Sequence, residues 1–254
     1  GGGSTVALVV IGVVVLMAVV GVIGAAVLIF ARAGSSDEDA APATTTTITD
    51  DASGEFGATT VPSAGDGEVV ATEFGFSTGE GFDGELAANA GAVIENSGSS
   101  SAAFFEVVFT FTDDDGATVG TETAYVYAIE PGGTAHAAVD AVSLQGPATA
   151  VDATVVIGDG SGFWTGTVVP VEVGEVVVDE FFGLGVDGTA TNPTAAPIQS
   201  ASVQCVVREG GRIVGGASAV LDTIVPGGEV TWEAITFSDW LRGDSAECSG
   251  GTYG

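Results

Sequence analysis

Cys205, Cys248 and His136 are the only cysteines and the only histidine in the chain, which also carries 34 Asp and Glu. These are the side chains whose types could support chemistry. One His and two Cys are too few for an ordinary zinc site. The positive residues are four Arg with no Lys, which excludes a P-loop and Schiff-base catalysis. A Ser or Cys nucleophile would have one possible base, His136, which lies in Thr134-Ala135-His136-Ala137 and reads as a partly exposed strand residue. Carboxylate pairs are so common here that proximity in sequence singles none out as a hydrolase dyad. Asp113-Asp114-Asp115-Gly116 lacks the ligand spacing of a calcium loop and reads as a hairpin turn. The two cysteines read as a disulfide if the protein lies outside the cell, and otherwise as two free thiols. No catalytic residue, cofactor or metal ligand is expected, so the expected protein is not an enzyme.

The elements that carry these residues are strand-like. Phe105, Val107, Phe109 and Phe111 alternate onto one strand face, as do Ala201, Val203, Cys205 and Val207. Short β-prone runs broken by Gly, Asp, Asn and Pro fill the chain from about residue 68 onward. The pattern repeats. Ala92-Val93-Ile94-Glu95-Asn96-Ser97 aligns with Gly188-Thr189-Ala190-Thr191-Asn192-Pro193, and Ile129-Glu130-Pro131-Gly132-Gly133-Thr134 aligns with Ile224-Val225-Pro226-Gly227-Gly228-Glu229. Between them, Asp113–Gly116 aligns with Arg208-Glu209-Gly210-Gly211, where the register shifts by one residue. A turn absorbs such a shift at least cost. The expected fold is mainly β, with an N-terminal hydrophobic α-helix and two immunoglobulin-like β-sandwich modules, 68–170 and 171–254.

Ahead of the modules, Val6–Phe30 is an uncharged apolar run. Its twenty-five residues would span about 37 Å as a helix, enough to cross a bilayer. Gly21 and Ala25 stand at the small-xxx-small spacing that lets a second helix approach closely. Two expectations stay open for residues 1–32: a simple membrane anchor, or a helix packed on copies of itself. Residues 33–67 are rich in Thr, Ala, Gly and acids and read as a tether, with Ala43-Thr44-Thr45-Thr46-Thr47, followed by Ile48-Thr49, as its most biased stretch. That run is a candidate for O-linked sugar, and its β propensity also suits extended packing against a neighbour. The chain has no N-glycosylation sequon, since Asn192 precedes Pro193.

A net charge of −30 excludes nucleic-acid binding by phosphate neutralisation and attraction to anionic head groups. Such an acid-rich, Lys-free composition resembles that of proteins of halophilic archaea, in which salt screens carboxylate repulsion. No basic residue precedes the apolar run, and the flanking Arg32 lies beyond it. An apolar core retained behind a removed basic leader resembles the class III signal peptides of archaeal type IV pilins and archaellins. It lacks the Glu that bacterial pilins carry at the fifth position, having Thr5. Gly1-Gly2-Gly3-Ser4 also reads as a linker left by trimming of a longer cytoplasmic part. The pilin resemblance implies a helical bundle at a filament core. The Asn96 and Asn192 turns, the strand ending Phe109-Thr110-Phe111-Thr112-Asp113, the Asp-Gly hairpin and the Pro-Gly-Gly turn resemble the FxLYD family of surface β-sandwiches. The second repeat departs from that pattern at Cys205, Val207 and Arg208.

These resemblances together imply an extracellular, cell-surface filament subunit. Its partners would be copies of itself, with the membrane holding the helix before assembly, and the outer modules would contact a surface or a glycan. The alternative is an anchored monomer that displays the same modules. Phe163-Trp164, Phe181-Phe182, Trp232 and Trp240 are expected to serve core or inter-module packing.

Overall fold

The computed structural model describes residues 56–58, 68–81, 83–157, 166–179 and 183–253. Residues 1–32, with the expected helix and Gly21 and Ala25, lie outside the described residues, as do Phe163, Trp164, Phe181 and Phe182. Contacts place Thr44–Gly254 in one compact unit. Its described residues are mainly strand, arranged as the sheets of a β-sandwich.

The first half contains β1 (Phe56–Ala58), β2 (Val69–Glu80), β3 (Leu86–Asn96), β4 (Ala102–Thr112), β5 (Thr118–Ile129), β6 (Thr134–Ser143) and β7 (Ala150–Val156). One sheet has the order β1-β2-β3-β6, the other β5-β4-β7. Period-two alternation gives each sheet an apolar face, and the two faces share one core. Phe105, Val107, Phe109 and Phe111 are buried in it, as their spacing leads one to expect. The Phe76 and Phe111 rings meet edge-on across it at 5.8 Å. Each buried Phe contributes about 1.5–3 kcal/mol.

The second half contains β8 (Gly166–Val169), β9 (Val171–Asp179), β10 (Gly183–Thr191), β11 (Ala201–Glu209), β12 (Arg212–Leu221), β13 (Glu229–Ile235) and β14 (Ser245–Tyr253). Its strands follow the order β8-β14-β11-β12-β13-β10-β9. The link between β12 and β13 is a single pair, Ser218↔Ile235. On either side of it, β9-β10-β13 and β12-β11-β14 repeat the strand order of β2-β3-β6 and β5-β4-β7. Both groups contribute to a second core, which includes Ala201, Val203, Cys205 and Val207. β8, which falls before residue 170, pairs with β14 and so extends the second half's sheet.

The halves meet through β3 and its neighbours. β3 is buried on both faces over Ala87–Ile94. Ala88, Ala90, Ala92 and Ile94 enter the first core, whereas Val93 packs with Val206 and Ile213 of the second half. The approach is close enough to require glycine. A Cβ on Gly75 would stand 2.1 Å from the Ile213 carbonyl oxygen, and one on Gly91 2.5 Å from that of Gly215. The small and apolar run of β3, broken only by Asn89, follows from this two-sided burial.

Candidate functional site

Polar side chains in the described residues gather at the contact between the halves. Two groups stand out, one charged and one neutral at its centre.

The charged group is centred on Arg208, near the end of β11. The repeat alignment assigns Arg208 to a turn, but the structure places it in the strand, with the turn beginning after Glu209. Its guanidinium donates to both carboxylate oxygens of Glu73 on β2, at 2.5 and 2.9 Å. Its Nε donates to Glu247 on β14 at 3.1 Å, and the Nη1 that meets Glu73 also donates to the Gly211 carbonyl at 3.1 Å. The Arg208 side chain is 13% exposed. Two carboxylates in hydrogen-bond contact hold its proton more firmly than usual.

His136 on β6 borders this group. The expectation of a partly exposed histidine is corrected here: His136 is 7% exposed. The face of β6 that would meet solvent in an isolated sandwich is covered by the second half. The His136 backbone N–H donates to Ser249 Oγ at 2.8 Å. Both ring nitrogens are buried without a hydrogen-bond partner among the described residues. Glu247 Oε2 lies 3.8 Å from Nε2, beyond hydrogen-bond reach. Burial lowers the imidazole pKa to about 4; nearby Glu247 opposes the shift and Arg208 reinforces it. His136 is therefore neutral near pH 7. Ser249 takes a main-chain proton and not one from the imidazole, so the pair does not form a nucleophile and its base.

The second group is centred on Asn89, fully buried on β3. Its Nδ2 donates to Asp140 at 2.8 Å and to the Gly216 carbonyl at 3.1 Å, while its Oδ1 accepts from the Gly216 N–H at 2.6 Å. Asp140 on β6 also accepts from Ser238 Oγ and from the Phe237 N–H, both at 2.5 Å. Asn89 thus pairs with both main-chain groups of Gly216, as a neighbouring strand would. Trp240 completes this side: a Cβ on Gly79 would come within 2.2 Å of its ring. These groups join the halves: Glu73 and Asp140 of the first half each accept from donors of the second, while Glu247 accepts from Arg208 within its own half.

Cys205 and Cys248 form a disulfide between directly paired residues of β11 and β14. It closes a separation of 43 residues. In the chain-entropy account, a loop of that length contributes about 4 kcal/mol. Asp113 caps the β4–β5 hairpin, with Oδ1 accepting from the N–H groups of Asp115 and Ala117 at 3.0 and 2.8 Å. Gly116 supplies the positive φ of +77° that closes the turn. Among the described residues, no three His, Cys, Asp or Glu are grouped so as to hold a metal ion. Trp232 lies in the second core, 4% exposed.

No protein-family model matches the chain, and no curated protein matches it. Among solved structures, the chain is similar to a crystal structure of red sea bream transglutaminase, at 14% identity and a TM-score of 0.22. That match covers 65% of this chain and 26% of the other. A likeness at that score carries no argument about fold or activity.

Proposed function

We propose that the protein is a structural subunit of an extracellular, archaeal type IV pilus-like filament and has no catalytic role. In this reading residues 1–32 form a helix bundled with those of other copies, through Gly21 and Ala25. Residues 33–67 are the tether, of which Phe56–Ala58 pair with β2 at the edge of the first sheet. Residues 68–170 and 171–254 form two immunoglobulin-like modules that coat the outside and serve adhesion or surface contact. The observation that supports it best is the direct packing of the two cores against each other within one compact unit. Glycine contacts, the Asn89 group and the Arg208 group commit that face to internal packing. The disulfide is compatible with an extracellular location. The uncharged Val6–Phe30 run supplies the apolar partner that such a body needs for assembly.

The length of that run, about 37 Å as a helix, also suits an anchored monomer displaying the two modules. Gly21→Leu separates the two. In a filament the larger side chain blocks helix approach, so the variant stays unassembled with its β body folded. In an anchored monomer it leaves both the oligomeric state and the fold unchanged. Sedimentation of native material with circular dichroism on the same samples reads both.

A further inference from the structure

The two halves pack head to tail, each using a different face. The face of β2-β3-β6 that points away from the first core lies on the outer face of β12-β11-β14. Gly75 and Gly91 meet the Ile213 and Gly215 carbonyls there, Val93 packs with Val206 and Ile213, and the His136 N–H donates to Ser249 Oγ. Because the halves repeat one strand order, each of these faces has a counterpart. The counterpart of the β2-β3-β6 face is the outer face of β9-β10-β13. That of the β12-β11-β14 face is the outer face of β5-β4-β7. Both counterparts present large apolar side chains to solvent. On the first, Val177 and Ile235 flank Gly185 in register and are 51% and 38% exposed. Ser77 and Asn89, which hold the Val177 and Gly185 places in the first half, are buried. On the second, Tyr125 and Val156 flank Glu106 in register, and both are exposed.

We infer that the β9-β10-β13 face of one copy packs on the β5-β4-β7 face of a second copy, repeating between chains the contact that joins the halves within one. A second copy is the occupant because the chain already holds this pair of faces docked on each other. The two faces differ, so the contact is heterologous, and unless its rotation closes it extends into an open stack. It does not depend on the apolar helix; in the filament reading it is the contact between outer modules. Its electrostatics follow from the strand registers. These place Thr112 where the second half has Arg208, Asp152 where it has Glu247, and Glu172 where the first half has Glu73. Within the chain, Arg208 bridges the two carboxylates. Between copies, Asp152 and Glu172 face each other with Thr112 in place of the guanidinium. The contact between copies therefore needs salt, which shortens the reach of such repulsion from about 10 Å at 0.1 M to about 3 Å at 1 M.

The registers also name the pair to cross-link: Thr154 stands where the second half has Ser249, and Thr231 where the first half has His136. The full chain carrying both Thr154→Cys and Thr231→Cys is oxidised in detergent at low and at molar salt. A ladder of covalent dimers, trimers and higher oligomers is expected at molar salt, and about tenfold less of it at low salt. Neither single variant is expected to give a ladder. Adding Thr112→Arg restores the cation and is expected to lower the salt for half-maximal cross-linking from about 1 M to about 0.1 M. Absence of a ladder at molar salt overturns the proposal. So do covalent dimers from both single variants, which would show each face pairing with itself. A ladder in a protein that forms no filaments supports the stacking and counts against the filament reading alone. Filaments that yield no ladder overturn the stacking and leave the filament reading standing.

Discussion

Asn96 and Asn192, which occupy equivalent places in the two halves, make the same four hydrogen bonds. Each backbone carbonyl accepts from the first glycine of a Pro-Gly-Gly turn, Gly132 at 2.7 Å and Gly227 at 2.9 Å. Each N–H donates to the second glycine, Gly133 or Gly228, at 3.0 Å. Each Nδ2 donates to the carbonyl four residues on, Ser100 or Ala196, at 2.8 Å. Each Oδ1 accepts from the N–H two residues on, Gly98 at 3.0 Å or Thr194 at 2.9 Å. Asn192 adds a bond to the Ile224 carbonyl at 2.8 Å. A side chain that satisfies a whole loop fixes where β3 and β10 end and where the β5–β6 and β12–β13 turns dock.

These bonds give a graded expectation for stability. Asn96→Ala should cost about 2 kcal/mol, and Asn192→Ala roughly 1 kcal/mol more, because it also loses the bonds to the Ile224 carbonyl and from the Thr194 hydroxyl. Chemical denaturation of the two variants reads the order. Equal losses, or a larger loss for Asn96→Ala, would show that the Ile224 bond is energetically silent.

The glycine contacts between halves make a separate expectation. Gly75→Ala forces a Cβ against backbone, which cannot swing aside, so the halves must part. Two unfolding transitions are expected in place of one, with the loss concentrated at the contact and both cores kept. Calorimetry of the variant checks this. A single transition at the parent temperature would mean that the contact yields without cost.

His136 sets a pH dependence whose sign follows from its lowered pKa. Above about pH 6.5 the imidazole is neutral in both folded and unfolded chains and has no effect. As pH falls from there towards about 4, the unfolded chain takes up a proton that the folded one refuses, so stability is lost. Below about 4 the loss is complete, at about 3 kcal/mol as an upper figure. His136→Phe removes this contribution. The difference in melting temperature between parent and variant should widen across that window; a difference that is constant with pH would place no titration on His136.

The charge of −30 requires screening, since Arg208 neutralises only Glu73 and Glu247 locally. Melting temperature should rise as salt goes from low to molar levels. Arg208→Met should steepen that rise, because two carboxylates that share one cation then repel unshielded. Thermal melts across salt check both, and a flat profile for the parent would show that acid repulsion does not limit stability.

Much of this arrangement is legible in the sequence where one strand face meets one core. Phe105 to Phe111 and Ala201 to Val207 alternate, and both rows are buried as their period implies. Turn chemistry was equally readable: Asp-Gly and Pro-Gly-Gly need the positive φ of Gly116, Gly132 and Gly227. What was not readable is the contact between halves. His136 alternates with Ala135 and Ala137, which marks a solvent face in a lone sandwich. That face becomes interior only when another sheet covers it, and no local period encodes a partner more than a hundred residues away. A signal did exist in β3, whose run from Ala87 to Ile94 lacks any alternation, as a strand buried on both faces must. Asn89 and Gly91 within that run had no reading as contact residues. Alignment with Asp113 assigns Arg208 to a turn, because the repeat conceals that only the second half places a cation at this position.

The filament reading is tested most directly by electron microscopy of native material. The account expects filaments whose axis is a bundle of helices from residues 1–32, with no bilayer around it and the β modules outside. A purified native protein that is a detergent-bound monomer, with its apolar segment in the micelle and no filaments at any concentration, would contradict it.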